Sequence, residues 1–298
     1  MLNSATRRAF MPTIKQPCPI IHCNGREVRP KFSNACGNTF LVYDLLPLQN
    51  TYDWEAVKKS IWNIMKDIRV NGAPVDDALV LRKICSDADT LDVKMHVLEP
   101  DSTEADFCGN GARAVGTFLF EAYGKQYPRL RLGSRMGMHE LTNKDGICFV
   151  NMGKPVIINP QRDFFHQGIK VTMTYVDAVE PHLVTRSFFD PRFLEQIGVA
   201  INATWKSEFP AGVNVNCVKL TPEKNELEVM TYERGVYRIT QACGTGSTAC
   251  CAALIHHQWR PTQPRYTVKL LGGTLNIHYQ DSNEFLIGGD VKFSEFEK

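Results

Sequence analysis

The sequence lacks the features by which several large classes of protein are recognised. No apolar run approaches the ~18 residues of a membrane-spanning helix, and no apolar stretch follows Arg7 and Arg8 to form a secretion signal. An excess of one charge is also missing, because 34 Lys and Arg face 32 Asp and Glu. We therefore expect a cytoplasmic protein whose net charge draws it neither to nucleic acid nor to a membrane.

The ten cysteines lack the spacing of a metal-binding or disulfide-exchange motif. No C-x-x-C pair occurs among them, and Cys250 and Cys251 are adjacent. Because no secretion signal is predicted, the thiols are expected to be reduced. The sequence therefore predicts no metal site.

Length and residue pattern indicate two halves of mixed structure. At about 150 residues per domain, 298 residues favour two domains or one large one. The prolines in residues 1–25 predict an N-terminal extension without a helix, with room for an edge strand at 20–23. Helices are predicted at 54–68, at 192–198, and after Gly109 and Gly244. Strands are predicted at 39–45, 78–84, 93–98, 213–220, 227–231, 266–271, 274–279 and 285–293. The fold class indicated is α+β.

One short motif occurs twice. Cys108-Gly109-Asn110-Gly111 and Cys243-Gly244-Thr245-Gly246 share the pattern C-G-x-G. Each copy leads into a helix-compatible run, at 114–123 and at 249–257. A single copy would be an ordinary turn with a structural cysteine, but two copies indicate two halves with a common role.

The chemistry of this turn follows from its residue types. The two glycines let the backbone turn tightly and point successive N–H groups into one concavity at the start of a helix. Such a concavity binds an anion, and the same field is expected to lower the pKa of the cysteine beside it. If both halves face one ligand, one thiolate can remove a proton from a carbon next to a bound carboxylate while the opposing thiol delivers another. The sequence thus predicts inversion of an α-carbon by a coupled pair of thiols.

Longer strings resemble the diaminopimelate epimerase family, a group of pyridoxal-independent isomerases. CGNGAR (108–113), YERG (232–235) and QACGTGSTA (241–249) look like its signature blocks, and the similarity extends from CGNTF (36–40) to GGDVKF (288–293). The resemblance implies two pseudo-symmetric halves, each a β-barrel-like sheet around a central helix, with the active site in the cleft between them. The boundaries expected are 1–25 for the extension, 26–136 with the returning segment 284–298 for the first half, and 137–283 for the second.

The resemblance also implies roles for individual residues. Cys108 and Cys243 match the two catalytic cysteines, while the backbones of Gly109-Asn110 and Gly244-Thr245 match the carboxylate cradle. Substrate contacts of the family are unchanged at Asn38, Asn214, Glu233 and Arg234. The sister proline racemases usually carry histidine at the position of Asn110. By this resemblance we expect an amino acid as the small-molecule substrate, no cofactor and a homodimer.

Three substrate-contact positions depart from the family pattern. Glu99 and Glu180 stand where the family has asparagine, Glu180 lying in Val179-Glu180-Pro181-His182 where the family reads G-N-P-H, and Asp77 replaces glutamine. Together with Glu233 and Arg234, these positions carry four carboxylates and one guanidinium, a net charge of minus three. A distal carboxylate ~4 Å from one of them would meet roughly 4 kcal/mol of repulsion at an effective dielectric of 20. The sequence therefore predicts a substrate with a cationic side chain, such as lysine, ornithine, arginine or histidine.

Other interpretations remain open. The retained Arg234 favours diaminopimelate itself as the substrate, unless Glu99 or Glu180 neutralises the charge of its guanidinium. A thiol redox switch would use the same two cysteines, and an anion-binding module would use the same two turns, although neither turn matches a phosphate-binding motif. Outside the motifs, His182 is placed near the site, and Cys36 is interpreted as a small buried thiol.

Overall fold

The structure, a computed structural model of the chain, describes residues 13–297. These residues form two units. The first runs to Met138 and includes the segment from Val291 onward, and the second is His139–Asp290. Within residues 13–297, no helix is long and apolar enough to cross a membrane.

Strands and helices alternate unevenly along the chain. The strands are β1 (Thr13–Pro17), β2 (Ile21–Cys23), β3 (Arg26–Val28), β4 (Lys31–Ala35), β5 (Asn38–Asp44), β6 (Arg69–Val70), β7 (Ala73–Pro74), β8 (Asp77–Ser86), β9 (Thr90–Leu98), β10 (Glu104–Ala105), β11 (Arg129–Ser134), β12 (Gly137–Lys144), β13 (Ile147–Asn151), β14 (Val156–His166), β15 (Ile169–Ala178), β16 (Glu180–Thr185), β17 (Asn214–Leu220), β18 (Glu226–Glu233), β19 (Arg238–Ile239), β20 (Arg265–Leu270), β21 (Gly273–Tyr279), β22 (Phe285–Gly288) and β23 (Val291–Glu297). The helices are α1 (Trp54–Asp67), α2 (Gly109–Tyr123), α3 (Pro191–Thr204) and α4 (Gly244–His256), with a 3-10 turn at Leu46–Leu48.

The first unit is built on a mixed sheet with the order β1-β23-β4-β5-β8-β9-β11, and β10 pairs with the other end of β9. Helix α2 packs against β4, β5, β9, β11 and β23, strands from across this order, so the sheet curves around it. Helix α1 lies outside, where Val57, Ile61 and Met65 bury one face at intervals of four residues. Its N-cap, Asp53, accepts the N–H groups of residues 55 and 56.

The second unit repeats this plan with the order β14-β15-β16-β17-β18-β20-β21-β22-β13-β12, and β19 pairs with the end of β18. Helix α4 contacts β14 to β18 as well as β21 and β22, and every residue from Gly244 to Leu254 is buried. A helix enclosed on all sides needs small side chains, which explains the run of Gly, Ser, Thr, Ala and Cys there. Helix α3 is amphipathic, capped by Asp190, and buries Leu194, Ile197 and Ile201.

The structure departs from the predicted boundaries in two places. Residues 1–12 of the predicted extension lie outside the described residues, but β1 pairs with β23, and Ile14, Ile21 and Cys23 join a core cluster of the first unit. The predicted strand at 285–293 is two strands, β22 and β23. Because β22 pairs with β13 and β21, the returning segment begins at Val291 rather than at residue 284.

Candidate active site

Cys108 is the N-cap of α2, and its thiol lies in the first turn of that helix. The residue is extended, with φ −140° and ψ 110°, and Sγ accepts the N–H of Gly111 at 3.3 Å. A Cβ on Gly111 would lie 2.9 Å from Cδ2 of Leu79, so glycine permits the close packing of the turn against β8. The N–H groups of a first helical turn point along the helix axis, beside this thiol.

The side chain of Asn110 is held from two directions. Its Nδ2 donates to Oδ1 of Asn38 at 3.1 Å, and its Oδ1 accepts from Nη2 of Arg113 at 2.7 Å. Arg113 is completely buried, so its guanidinium fixes the amide from inside the helix. The contact with Asn38 brings the start of α2 to the beginning of β5.

The register of the first sheet places the other predicted residues of this unit at the same edge. Asp77 begins β8 and pairs with Phe40 of the parallel strand β5, while Leu98 at the end of β9 pairs with Ala78. Glu99, the next residue, therefore lies across from Asp77. Its Oε2 accepts the hydroxyl of Thr103 at 2.6 Å. The structure thus gathers residues 38, 77, 99 and 108–110 at one edge.

Cys243 has the same local geometry at the start of α4. It is an extended N-cap with φ −124° and ψ 114°, and Sγ accepts the N–H of Gly246 at 3.3 Å, with Oγ1 of Thr245 also 3.3 Å away. A Cβ on Gly246 would lie 3.2 Å from Sγ and 3.0 Å from Oγ1 of Thr231, and would overlap Oδ1 of Asn216. The repeated motif therefore encodes one turn structure in both units.

The prediction of a lowered thiol pKa is wrong for Cys243. The side chain is only 4% exposed, and burial raises its pKa well above the ordinary value because the thiolate loses water. The carboxyl groups of Glu233 and Glu180 raise it further, whereas Thr245 and the N–H of Gly246 oppose the shift without cancelling it. The structure keeps this thiol protonated.

Glu180, Asn214 and Arg234 form one network. An oxygen of Glu180 lies 3.1 Å from Nη2 of Arg234, and its other oxygen accepts from Nδ2 of Asn214 at 3.2 Å. Oδ1 of Asn214, which is fully buried, accepts the backbone N–H of Arg234 at 2.9 Å. The sequence analysis named Glu99 and Glu180 as possible partners of Arg234, and the structure pairs Arg234 with Glu180.

The turn that carries Glu180 is strained. Val179 has φ +71°, a left-handed conformation that a β-branched residue rarely adopts. It lies between Ala178 and Glu180, which pair with each other as β15 turns into β16. The family pattern has glycine at this position, so the strain accompanies the change from G-N-P-H to V-E-P-H.

Glu233, the last residue of β18, holds its proton more tightly than an ordinary glutamate. Burial raises its pKa to about 7, and the carboxylate of Glu180 adds to this, although Thr240, Arg238 and Arg234 act in the opposite direction. Near neutral pH this carboxyl is therefore about half protonated. Of the two carboxyl groups that raise the pKa of Cys243, Glu233 has the larger effect.

A buried polar chain beside Cys243 includes residues that the sequence analysis missed. Asn216 donates to the backbone oxygen of Leu183 at 3.1 Å, accepts the hydroxyl of Thr231 at 2.8 Å, and lies 3.2 Å from Nδ1 of His182. Burial, with help from Arg234, lowers the pKa of His182 to about 3, so the imidazole is neutral. The sequence VNVN (213–216) could have revealed Asn216, because alternate residues of a strand point to one face and Asn216 therefore lies on the same face of β17 as Asn214.

Comparison with known proteins gives the family. A family model for diaminopimelate epimerase matches residues 181–293. A diaminopimelate epimerase of Sphingopyxis alaskensis is 32% identical over 240 residues, covering 74% of this chain and 80% of that protein. One of Parabacteroides distasonis is 31% identical over 229 residues, covering 74% and 81%. The chain belongs to the diaminopimelate epimerase family. This membership makes it an isomerase of the racemase and epimerase class.

Solved structures agree with the family's fold. A probable proline racemase from Agrobacterium radiobacter, with bound carbonate, has a TM-score of 0.64 at 16% identity and covers 90% of this chain and 92% of its own. A hydroxyproline epimerase from Agrobacterium vitis, with bound trans-4-hydroxy-L-proline, has a TM-score of 0.64 at 15% identity and covers 92% and 91%. These similarities confirm the predicted α+β class for this epimerase-family chain.

Proposed function

We propose that this epimerase-family enzyme inverts the α-carbon of an amino acid with a cationic side chain, such as lysine, ornithine, arginine or histidine. The observation that carries the proposal is the ion pair between Glu180 and Arg234. The family resemblance makes Arg234 a substrate contact, and in this chain a carboxylate already balances its charge. The distal carboxylate of diaminopimelate would have to compete with Glu180 for the guanidinium, whereas an ammonium group would not.

The remaining carboxylates favour the same class of substrate. Once Glu180 has paired with Arg234, the substrate-contact positions still include Asp77, Glu99 and Glu233. A cation ~4 Å from one of these carboxylates would gain roughly 4 kcal/mol at an effective dielectric of 20, and a distal carboxylate would lose as much. In our proposal one or more of these side chains binds the end of the substrate.

The proposed chemistry uses Cys108 and Cys243 as an acid-base pair. One thiolate removes the α-proton from one face of the carbon, and the other thiol delivers a proton to the opposite face. The first-turn N–H groups of α2 and α4 hold the α-carboxylate and stabilise the negative charge that develops. Because Cys243 is held protonated by burial, it starts as the donor and Cys108 as the base, and the reverse reaction exchanges these roles. The proposed mechanism uses neither pyridoxal phosphate nor a metal ion, and we place the enzyme in the cytoplasm.

Diaminopimelate epimerase itself is the second candidate. It is favoured by family membership and by the unchanged contacts Asn38, Asn214, Glu233 and Arg234. Protonation of Glu233 near neutral pH would also reduce the negative charge that a distal carboxylate meets.

An isotope-exchange assay over a panel of amino acids separates these candidates. The wild-type enzyme is incubated in heavy water with L-lysine, L-ornithine, L-arginine, L-histidine or LL-diaminopimelate. Incorporation of deuterium at the α-carbon and formation of the other stereoisomer are then followed. We expect kcat/KM for at least one basic amino acid to exceed that for diaminopimelate at least tenfold. Turnover of diaminopimelate above every basic amino acid would establish the second candidate, and exchange with no amino acid would favour a redox switch or an anion-binding module.

A further inference from the structure

The second unit contains a cavity of about 360 Å³ that the proposed reaction does not use. Its lining includes His257, the C-cap of α4, and Trp259 just beyond it. Cys243 is the N-cap of the same helix, and 13 residues at ~1.5 Å per residue separate the two ends by roughly 20 Å. The cavity is therefore separate from the Cys243 turn.

Unequal strand lengths and a bulge create this cavity. The pairing of β15 with β16 reaches from Ala178 only to Thr174, although β15 itself continues back to Ile169. On the other side of β15, the register with β14 shifts between Asn159 and Arg162. Residues 169–173 of β15 are therefore paired with β14 alone, and Thr172 and Thr174 line the cavity where the pairing with β16 ends.

Among the described residues that line the cavity, Arg186 is the one whose side chain is cationic throughout the physiological pH range, and its guanidinium contacts an aromatic ring. Its Cζ lies 5.4 Å from the centroid of the Trp259 ring, which stacks on His257 with centroids 5.2 Å apart and planes 7° from parallel. The N–H of Ser187 donates to the hydroxyl of Thr185 at 3.2 Å, fixing the turn after β16. Between residues 13 and 297, Arg186 makes no ion pair with a carboxylate.

The other lining groups carry no negative charge, and the hydroxyl groups of Thr172 and Thr174 are held by contacts within the protein. No Asp or Glu lines the cavity among the described residues. Asp163, which contacts the lining residue Thr172 at 2.7 Å, is neutralised by Lys170 at 2.8 Å. The imidazole of His257 is positioned by Thr174, with Oγ1 and Nε2 2.7 Å apart. A guanidinium with no carboxylate partner in the described part of the chain, the hydroxyl group of Ser187 and an aromatic wall together match an anion that carries a flat group.

We propose that this cavity binds a small planar organic anion, a carboxylate or phosphate ester, with the anionic group on Arg186 and Ser187 and the planar group beside Trp259 and His257. The volume lies at the lower end of the ~300–1,000 Å³ of small-molecule sites, so the ligand is about the size of a single substituted ring. The site is independent of the proposed reaction at Cys243.

Calorimetric titration of the full chain with three probes of similar size tests this proposal. Phenyl phosphate and phenylacetate distinguish the two anionic groups, and benzylamine is the cationic counterpart. We expect at least one anion to bind with 1:1 stoichiometry and benzylamine not to bind. Arg186→Gln should weaken anion binding at least tenfold, whereas Arg192→Gln, the same change at an exposed position on α3, should leave it unchanged.

A second variant separates the planar contact from the charge. Trp259→Ala should weaken phenyl phosphate more than inorganic phosphate, because only the former has a ring to place against the indole. Racemisation by Arg186→Gln should equal that of the wild type, which shows that the variant is folded. Absence of binding by both anions, equal binding by Arg186→Gln, or tighter binding of benzylamine would each overturn the proposal. Equal binding by Arg186→Gln would place the anion elsewhere, including the turns of Cys108 and Cys243.

Discussion

The carboxylate of Glu180 contacts the guanidinium of Arg234 at 3.1 Å, and the two side chains are only 16% and 21% exposed. Asn214 holds both partners, donating to the carboxylate and accepting the backbone N–H of Arg234. An enclosed pair of this kind is weakly screened, and removal of one partner leaves the other charge uncompensated. The identity of residue 180 therefore decides whether the guanidinium of Arg234 has this carboxylate partner within the protein.

Replacement of Glu180 should change the preference for substrate. In Glu180→Asn, which restores the family residue, the freed guanidinium can bind a distal carboxylate and the site loses one negative charge. We expect the ratio of kcat/KM for diaminopimelate over lysine to rise at least tenfold, equivalent to about 1.4 kcal/mol. Glu121→Gln, a change at an exposed position on α2, is the control and should leave the ratio unchanged. An unaltered ratio in Glu180→Asn would contradict the role given to the ion pair.

The two cysteines should be required equally for stereoinversion. In Cys108→Ser and in Cys243→Ser, the hydroxyl is a much weaker acid than a thiol, so one of the two proton transfers becomes slow. We expect racemisation to fall at least 10³-fold in either variant, measured by chiral chromatography, with the thermal unfolding midpoint nearly unchanged. Cys85→Ser, at an exposed thiol, is the matched control and should retain activity. Substantial racemisation by either motif variant would rule out the two-thiol mechanism.

The raised pKa of Glu233 should make stability depend on pH. The carboxyl titrates near 4.5 in the unfolded chain and at about 7 in the folded protein, so the folded state binds the proton more tightly. Its contribution is fully present below pH 4.5 and is lost as pH rises to about 7. Compared with Glu233→Gln, the wild type should lose an additional ~2 to 3 kcal/mol of unfolding free energy between pH 4.5 and pH 8. Urea unfolding at the two pH values measures this, and Glu121→Gln should show the wild-type pH dependence.

The two motif glycines should differ in their tolerance of a methyl group. In Gly246→Ala the new Cβ meets Asn216, Thr231 and the Cys243 sulfur, all fixed within a buried network. In Gly111→Ala it meets mainly the end of the Leu79 side chain, which can move. We expect Gly246→Ala to lose about 1 to 3 kcal/mol of unfolding free energy and most activity, and Gly111→Ala to lose less. Thermal unfolding and racemisation assays measure the two losses. If both variants lost equal stability and activity, the network around Asn216 would not be what fixes the turn at Cys243.

Local sequence signals predicted most of the helices and the motif turns. The caps Asp53 and Asp190, and the glycines after Cys108 and Cys243, act within a few residues of where they occur, so their effect is readable from the chain. The strands between residues 129 and 185 were not predicted, and the run at 285–293 was read as one strand although its halves pair in different units. Pairing of this kind depends on residues far away in the sequence.

The properties of the site were less predictable than its members. The motif indicates an electropositive turn at Cys243, but the pKa of this thiol is set by its burial inside the second sheet and by Glu233 and Glu180. Asn216 was overlooked because its role exists only through contacts with Thr231 and Gly246. Tertiary burial and charge placement thus keep the Cys243 thiol protonated, and no local pattern reports them.

Relief of backbone strain at Val179 should stabilise the protein. A residue with a Cβ in the left-handed region costs ~1–2 kcal/mol, and glycine avoids this cost although it increases the entropy of the unfolded chain. We expect Val179→Gly to raise the unfolding free energy by about 0.5 to 1 kcal/mol in urea unfolding. Val199→Gly, the same substitution at an exposed position within α3, should have the opposite sign because glycine weakens a helix by a similar amount. Destabilisation by both variants would show that Val179 is held by packing that outweighs the strain.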